Sequence, residues 1–376
     1  QSVFGQEVAE SVAGINVSGG ATIVLQGTTK AHDGSDKGSI DASYSYDLEL
    51  SKEFDNDSSI FVHIEGAAGE GLNGKLSLFS ALNGDSGSTG SSLEISEIWY
   101  EKALFEKKLI LSFGKLDPAG YFDANEAAND ETEQFLAGMF VNNAAVALPE
   151  PTLGLRATYA PVEWLELTYA YFAQNEEWEH IDTNGFNIVE AVYKLSETGN
   201  YRLLYWTNAG GIENVKNGER TQDYGIGFSA DQAVSENIIL FARVGYRNPD
   251  AVTVDVEVDD ATNEVISIEI SPQMSWSFGA LFKGGLWNRE NDAVGIAIGQ
   301  NSISKDVADA FGYLKSDAET QAEVYYKFAI NDNIALTPVL QYVSKPLGGE
   351  IPVPELQEVE SFDSTFTFGI RTQISF

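Results

Sequence analysis

Residues 120–135 read Gly-Tyr-Phe-Asp-Ala-Asn-Glu-Ala-Ala-Asn-Asp-Glu-Thr-Glu-Gln-Phe, a run crowded with acidic and amide side chains. Asp123, Asn125, Glu126, Asn129, Asp130, Glu131 and Glu133 offer carboxylate and amide groups within one short span. Positive charge is scarce by comparison. Of seven arginines, Arg156, Arg202, Arg243, Arg247 and Arg371 fall on the polar side of alternating segments. Guanidinium groups facing carboxylates across a gap set up a transverse field and present a fork of donors to hydroxyls or anions. The same arginines could equally neutralise wall or loop carboxylates one by one, and both readings can hold together. Trp206, Phe241 and Tyr325 share that polar side with Glu323 and Gln341. Such rings suit stacking against the apolar face of a small ring-shaped solute, with its polar groups left for Arg243, Glu323 or Gln341. They suit packing beneath an inserted segment at least as well.

Other chemistry is missing. His32, His63 and His180 lie far apart, so neither a histidine triad nor a metal site is expected, and no cofactor. The run Glu-Glu-Trp-Glu-His at 176–180 reads as a solvated loop. Gly-Ile-Gly-Phe-Ser-Ala at 225–230 sits inside an alternating strand and opens no helix, so it is no dinucleotide fingerprint. Without a Gly-x-Ser-x-Gly elbow or a phosphate-binding loop, the chain reads as a non-enzyme. A net charge of −35 excludes nucleic acid as a partner, because no basic stripe displaces counterions. The absence of cysteine removes disulfides and thiolate sites and suits passage through an oxidising compartment. The first residue is glutamine, which fits a chain exported with its signal peptide already removed.

These groups need a frame, and the frame is β. On residues 363–376, Phe366, Phe368, Ile370, Ile374 and Phe376 share one face, with Thr365, Thr367, Arg371, Gln373 and Ser375 on the other. Similar runs recur to give sixteen strands, near 14–28, 39–50, 58–66, 93–103, 107–116, 153–160, 165–173, 186–195, 199–207, 222–230, 237–247, 273–284, 293–300, 322–330, 334–343 and 363–376. An even count of strands about 9 to 11 residues long fits a transmembrane barrel, which hides its apolar face in alternate residues and needs no apolar helix. Pro338 predicts a bulge or local break in its strand.

The connections discriminate further. Those after even strands are short and those after odd strands long and polar, a pattern a soluble sandwich has no reason to adopt. Outward aromatics predict two girdles, Tyr171, Tyr224, Tyr246 and Tyr342 by the long loops and Tyr193, Phe228, Phe282, Phe328 and Phe376 by the short turns. The longest connection, 117–152, is the third long one. Its Asp130-Glu-Thr-Glu133 predicts a capping box, with Asp130 as N-cap and Glu133 reaching back, followed by a helix over 134–140.

Gly114-Lys-Leu-Asp117, Tyr121-Phe-Asp-Ala-Asn125, Ala128-Asn-Asp-Glu-Thr-Glu-Gln-Phe135 and Val141-Asn-Asn143 resemble the carbohydrate-selective porin family typified by OprB. So do Tyr224-Gly-Ile-Gly227, Leu240-Phe-Ala-Arg-Val-Gly-Tyr246, Phe278-Gly-Ala-Leu-Phe-Lys-Gly284 and Leu336-Thr-Pro-Val-Leu-Gln-Tyr342 with Pro346. The resemblance implies a single sixteen-stranded antiparallel barrel in a Gram-negative outer membrane, with long extracellular loops, short periplasmic turns and the third loop folded into the lumen. It implies passive diffusion of small solutes, sugars foremost. The expected layout is a short periplasmic segment at 1–13 and a barrel over 14–376, with 117–152 as constriction loop. Expected partners are solutes, outer-membrane lipid and lipopolysaccharide, whose cations the acidic run 255–260 could bind, and further copies in a homotrimer. A general or cation-preferring porin and a barrel scaffolding a partner protein are the rival readings.

Overall fold

Sixteen antiparallel strands close on themselves. The computed structural model describes residues 10–12, 14–30, 38–87, 92–174, 184–196, 198–214, 217–251, 254–258, 265–310, 315–353, 358–361 and 364–376. The barrel strands are β1 (Ile15–Thr28), β2 (Ser39–Phe54), β3 (Ser58–Ala68), β4 (Ser92–Leu104), β5 (Leu109–Leu116), β6 (Thr152–Val162), β7 (Leu165–Phe172) and β8 (Phe186–Ser196). They continue as β9 (Gly199–Glu213), β10 (Arg220–Ser235), β11 (Ile238–Arg247), β12 (Met274–Lys283), β13 (Ala293–Ser302), β14 (Glu319–Asn331), β15 (Ile334–Ser344) and β16 (Thr365–Ser375). Each pairs with its chain neighbour, and β16 returns to β1 from Gly20↔Ser375 to Thr28↔Thr367. Closure satisfies the backbone groups that lipid could not.

Alternation decides which face turns outward. On β16 Phe366, Phe368, Ile370 and Ile374 are exposed on the outside, while Thr365, Thr367, Arg371 and Gln373 are buried within. On β11 Leu240, Val244 and Tyr246 point out, and Phe241, Arg243 and Arg247 point in. Rim aromatics include Tyr224 and Tyr246 at the long-loop end and Tyr193, Phe228, Phe328 and Phe376 at the other. The buried apolar residues gather inside the barrel, beneath two loops that fold into it.

Three local expectations change, and a fourth holds in part. The helix placed over 134–140 is a single turn, α1 (Gly138–Val141). Asp130 does cap a turn, its Oδ1 accepting from Thr132 N at 2.8 Å and Glu133 N at 3.0 Å, but Glu133 reaches out to Lys327. Aromatic packing of Phe135 holds this stretch extended, which outweighs its helical pattern. The connection from β9 to β10 spans only 214–219, because both strands run on past a register shift between Asn208 and Ile212. At Pro338 the expectation holds in its second form, a local break with no bulge: pairing to β14 skips from Tyr325↔Val339 to Phe328↔Leu336, while Pro338↔Ile370 holds on the other side. Within the expected leading segment, Glu10–Val12 folds back on β1; residues 1–9 and 13, the cluster at 176–180 and Asp259 and Asp260 lie outside the described residues.

Beyond the barrel, Val254–Val258 pairs with Val265–Ile270 as a hairpin after β11. Strands Lys315–Ser316, Gly349–Val353 and Glu358–Ser361 join the loops after β13 and β15. A short helix, α2 (Lys305–Ala310), precedes β14.

Candidate functional site

Loop 3, residues 117–151, enters the lumen and docks on one half of its wall. Phe135 anchors it, meeting Tyr325 edge-on at 5.0 Å and Phe241 at 5.6 Å. Leu136, Met139 and Phe140 bury beside it against Val24, Leu281 and Val339. Each such side chain withdrawn from water contributes about 1.5–3 kcal/mol. Nearer its start, Phe122 packs with Phe172, Phe186, Leu204 and Trp206. The wall makes room with glycine: a Cβ on Gly245 would lie 2.2 Å from Asn143 Oδ1.

Polar groups fix the pose. Glu323 accepts from Leu136 N at 2.7 Å and Ala137 N at 2.8 Å, one carboxylate oxygen each. Gln341 adds a 3.0 Å bond to the same carboxylate. Asn125 Nδ2 donates to Ser229 Oγ and Ala230 O, and Glu126 N to Asp231 Oδ1. Asp123 N donates to Glu190, and Asp123 Oδ2 accepts from Asn143 N at 2.7 Å.

All five arginines on inward positions are bound. Arg243 pairs with Asp123 and donates to the carbonyls of Asp123 (2.8 Å) and Phe140 (2.7 Å), with a longer bond to Asn129 Oδ1. Arg371 donates to the carbonyls of Glu131 and Gln134. Arg202 pairs with Asp231 at 2.6 Å, Arg247 with Asp223 at 2.7 Å and Arg156 with Glu101 at 2.7 Å. Arg156 is the most accessible of the five, its guanidinium lying 4.1 Å from the Tyr121 ring centre. Trp206, Phe241 and Tyr325 are buried beneath the loop, so no ring face is open there to a passing solute. Of the loop acids, Glu126 is exposed and Asp130, Glu131 and Glu133 are partly so, whereas Asp123 is fully buried.

Loop 2, residues 69–87 as described, also folds inward. Gly84 N donates to Leu136 O and Gly138 N to Ala81 O, which ties the two loops together. Gln341 and Gln321 hold the carbonyls of Leu82 and Ser80, and Glu319 accepts from Phe79 N. Leu72, Leu76 and Leu82 bury against Val343. Those leucines in a loop otherwise read as polar were the available signal.

With most of the inward face of β8–β16 covered, the largest group of inward side chains left partly open lies on β2–β6. Phe61 and Trp99 stack at 5.1 Å with an interplanar angle of 26°. Trp99 Nε1 donates to Glu97, which also accepts from Asp117 N at 3.0 Å. Asp47, Glu49, His63 and Glu65 line the wall alongside. Sequence reading missed this face because an acidic or aromatic residue on alternate positions also marks an ordinary polar strand face. Burial raises the carboxyls of Asp117 and, to about 7, of Asp85 in the loops.

A closed sixteen-stranded barrel whose lumen is narrowed by an inserted third loop is the architecture of a porin. The chain belongs to the carbohydrate-selective porin, OprB family, whose family model matches residues 31–376, and it is an outer-membrane protein. It is similar to the high-pH structure of Pseudomonas putida OprB, with a TM-score of 0.78 and 18% identity, covering 96% of this chain and 94% of that one. It is similar also to the outer-membrane channel DcaP of Acinetobacter baumannii, with a TM-score of 0.60 and 12% identity over 98% and 99% of the two chains. An uncharacterized protein of Aquifex aeolicus (strain VF5) is 30% identical over 136 residues, 36% of this chain and 38% of that one, so the match spans well under half of that relative.

Proposed function

We propose that the protein passes small solutes, sugars foremost, down their gradient across the outer membrane, along a lane between loop 3 and strands β2–β6. The observation that carries this reading is the one-sided docking of the loops, which covers most of the inward face of β8–β16 and leaves the Phe61–Trp99 pair partly open. Stacked rings offer an apolar face to a sugar. Glu97, Glu101 and Arg156 beside them offer acceptors and donors to its hydroxyls. The buried trio of Trp206, Phe241 and Tyr325 is assigned to holding the loop. Passage needs no chemical step, and none is proposed.

Single-channel current in a planar bilayer, with mono- and disaccharides titrated into the bath, tests this. Saturable block that Trp99→Ala weakens supports it. Ohmic current indifferent to every sugar reduces the protein to a general porin, and a silent barrel favours the scaffold reading. A cation-preferring porin is the second reading, favoured by the acidic residues on the open wall. The outward apolar band is proposed to face lipid, with lipopolysaccharide at the long-loop rim. A homotrimer would bury part of that band, which the mass of the detergent-extracted particle decides.

A further inference from the structure

Three adjacent strands carry acid on their inward faces without lysine or arginine. Pairing across β2, β3 and β4 sets Glu49, His63 and Glu97 in one row and Asp47, Glu65 and Glu94 in the next. No inward position of these strands holds lysine or arginine. Elsewhere in the lumen Arg202, Arg243 and Arg247 each close on a carboxylate of their own. With strands about 4.8 Å apart, the acids act on the imidazole from both sides.

The donor geometry is independent of that charge. His63 Nε2 lies 3.0 Å from Asp47 Oδ1, and Nδ1 lies 3.9 Å from Glu65 Oε2 across the ring. All three side chains keep a face to the lumen. One nitrogen and one oxygen at that separation can share an ion bound at about 2.0–2.2 Å from each. A metal ion at Nε2 would displace the proton that this nitrogen shares with Asp47 to Nδ1, where the Glu65 carboxylate at 3.9 Å favours it by charge.

We propose that His63 and Asp47 hold a divalent transition-metal ion in the lumen wall, with Glu65 as the positioning residue and water completing the shell. The mixed imidazole and carboxylate set takes ions of the Zn²⁺ class over Mg²⁺ and Ca²⁺, which favour all-oxygen shells. Binding does not depend on conduction, although an ion held there narrows the lane beside Phe61.

Calorimetric titration of the purified full chain in detergent with Zn²⁺ alone is the test, paired with single-channel current before and after a chelator. One saturable site per chain is expected, with Mg²⁺ failing to compete. His63→Gln should weaken binding at least about tenfold, and Glu65→Gln roughly 10- to 100-fold. Zn²⁺ should lower the current reversibly in the parent and not in His63→Gln. Heat-modifiable electrophoretic mobility verifies that each variant folds. Zn²⁺ binding that is unchanged in His63→Gln, or matched by Mg²⁺, overturns the site and leaves only an acidic field. A chain that binds Zn²⁺ but carries no current sinks the channel reading and keeps this one, and a conducting chain that binds none does the reverse.

Discussion

Asp123 and Arg243 meet at 3.1 Å with neither side chain reaching solvent, although 120 residues separate them. The pair joins the start of loop 3 to β11, and the guanidinium reaches on to the loop's short helix at Phe140 O. Removing one partner strands a buried charge, at a cost of about 3–5 kcal/mol. Arg243→Ala should therefore release the loop, raising single-channel conductance and opening 117–151 to protease. The double change Asp123→Asn with Arg243→Met should recover part of the loss. Unchanged conductance with weaker sugar block would instead make Arg243 a solute contact.

Glu323 holds the loop at its middle. Two backbone amides donate to its two oxygens, and charge-assisted bonds of this kind exceed neutral ones. Glu323→Ala leaves the amides of Leu136 and Ala137 buried without acceptors, at about 1–3 kcal/mol each. The expected result is faster amide exchange at 135–141 with the barrel's melting little altered. Glu323→Gln keeps one acceptor and should lie between the two. Equal exchange in all three chains would show that Phe135 alone carries the docking.

Two tryptophans should answer differently. Trp206 stacks on Phe186 at 5.5 Å and is sealed, so Trp206→Ala should cost about 3–5 kcal/mol in stability. Any loss of sugar block there should follow loop displacement and appear with raised conductance. Trp99, partly open beside Phe61, should lose sugar block with conductance nearly kept. The reverse assignment would return the sugar track to the buried side of the lumen.

How far the sequence reached follows from the range of its signals. Alternation is local, so all sixteen strands and the inward arginines were legible from runs such as Leu240 to Tyr246. The third loop was legible because its length and the Tyr121 to Asn125 motif stand out. What each inward side chain touches was not legible, since Asp123 finds Arg243, and Leu136 finds Glu323, only after closure brings distant registers together. The open wall escaped for the same reason: Asp47 and Glu65 look like any polar strand face until the loops have covered the opposite side.

Loop docking should also respond to pH through Glu131. Its residue crowds loop 2, where a Cβ on Gly84 would lie 3.2 Å from Glu131 Cβ. Burial, reinforced by the neighbouring Asp130, Asp85 and Asp117, pushes the Glu131 carboxyl up to about 8. Asp85 is raised to about 7, chiefly by burial, despite accepting from Ser45 Oγ at 2.7 Å. A folded-state value above the unfolded one means that the contribution to stability is complete below the unfolded values of 3.8 for Asp85 and 4.5 for Glu131. It is lost as pH rises through about 7 and about 8. Loop exchange, corrected for its intrinsic pH dependence, should thus be slow near about pH 5 and faster near about pH 9. Glu131→Gln should flatten most of that rise, and adding Asp85→Asn the remainder. An undiminished rise in the double variant would place the pH response outside the contact between the two loops.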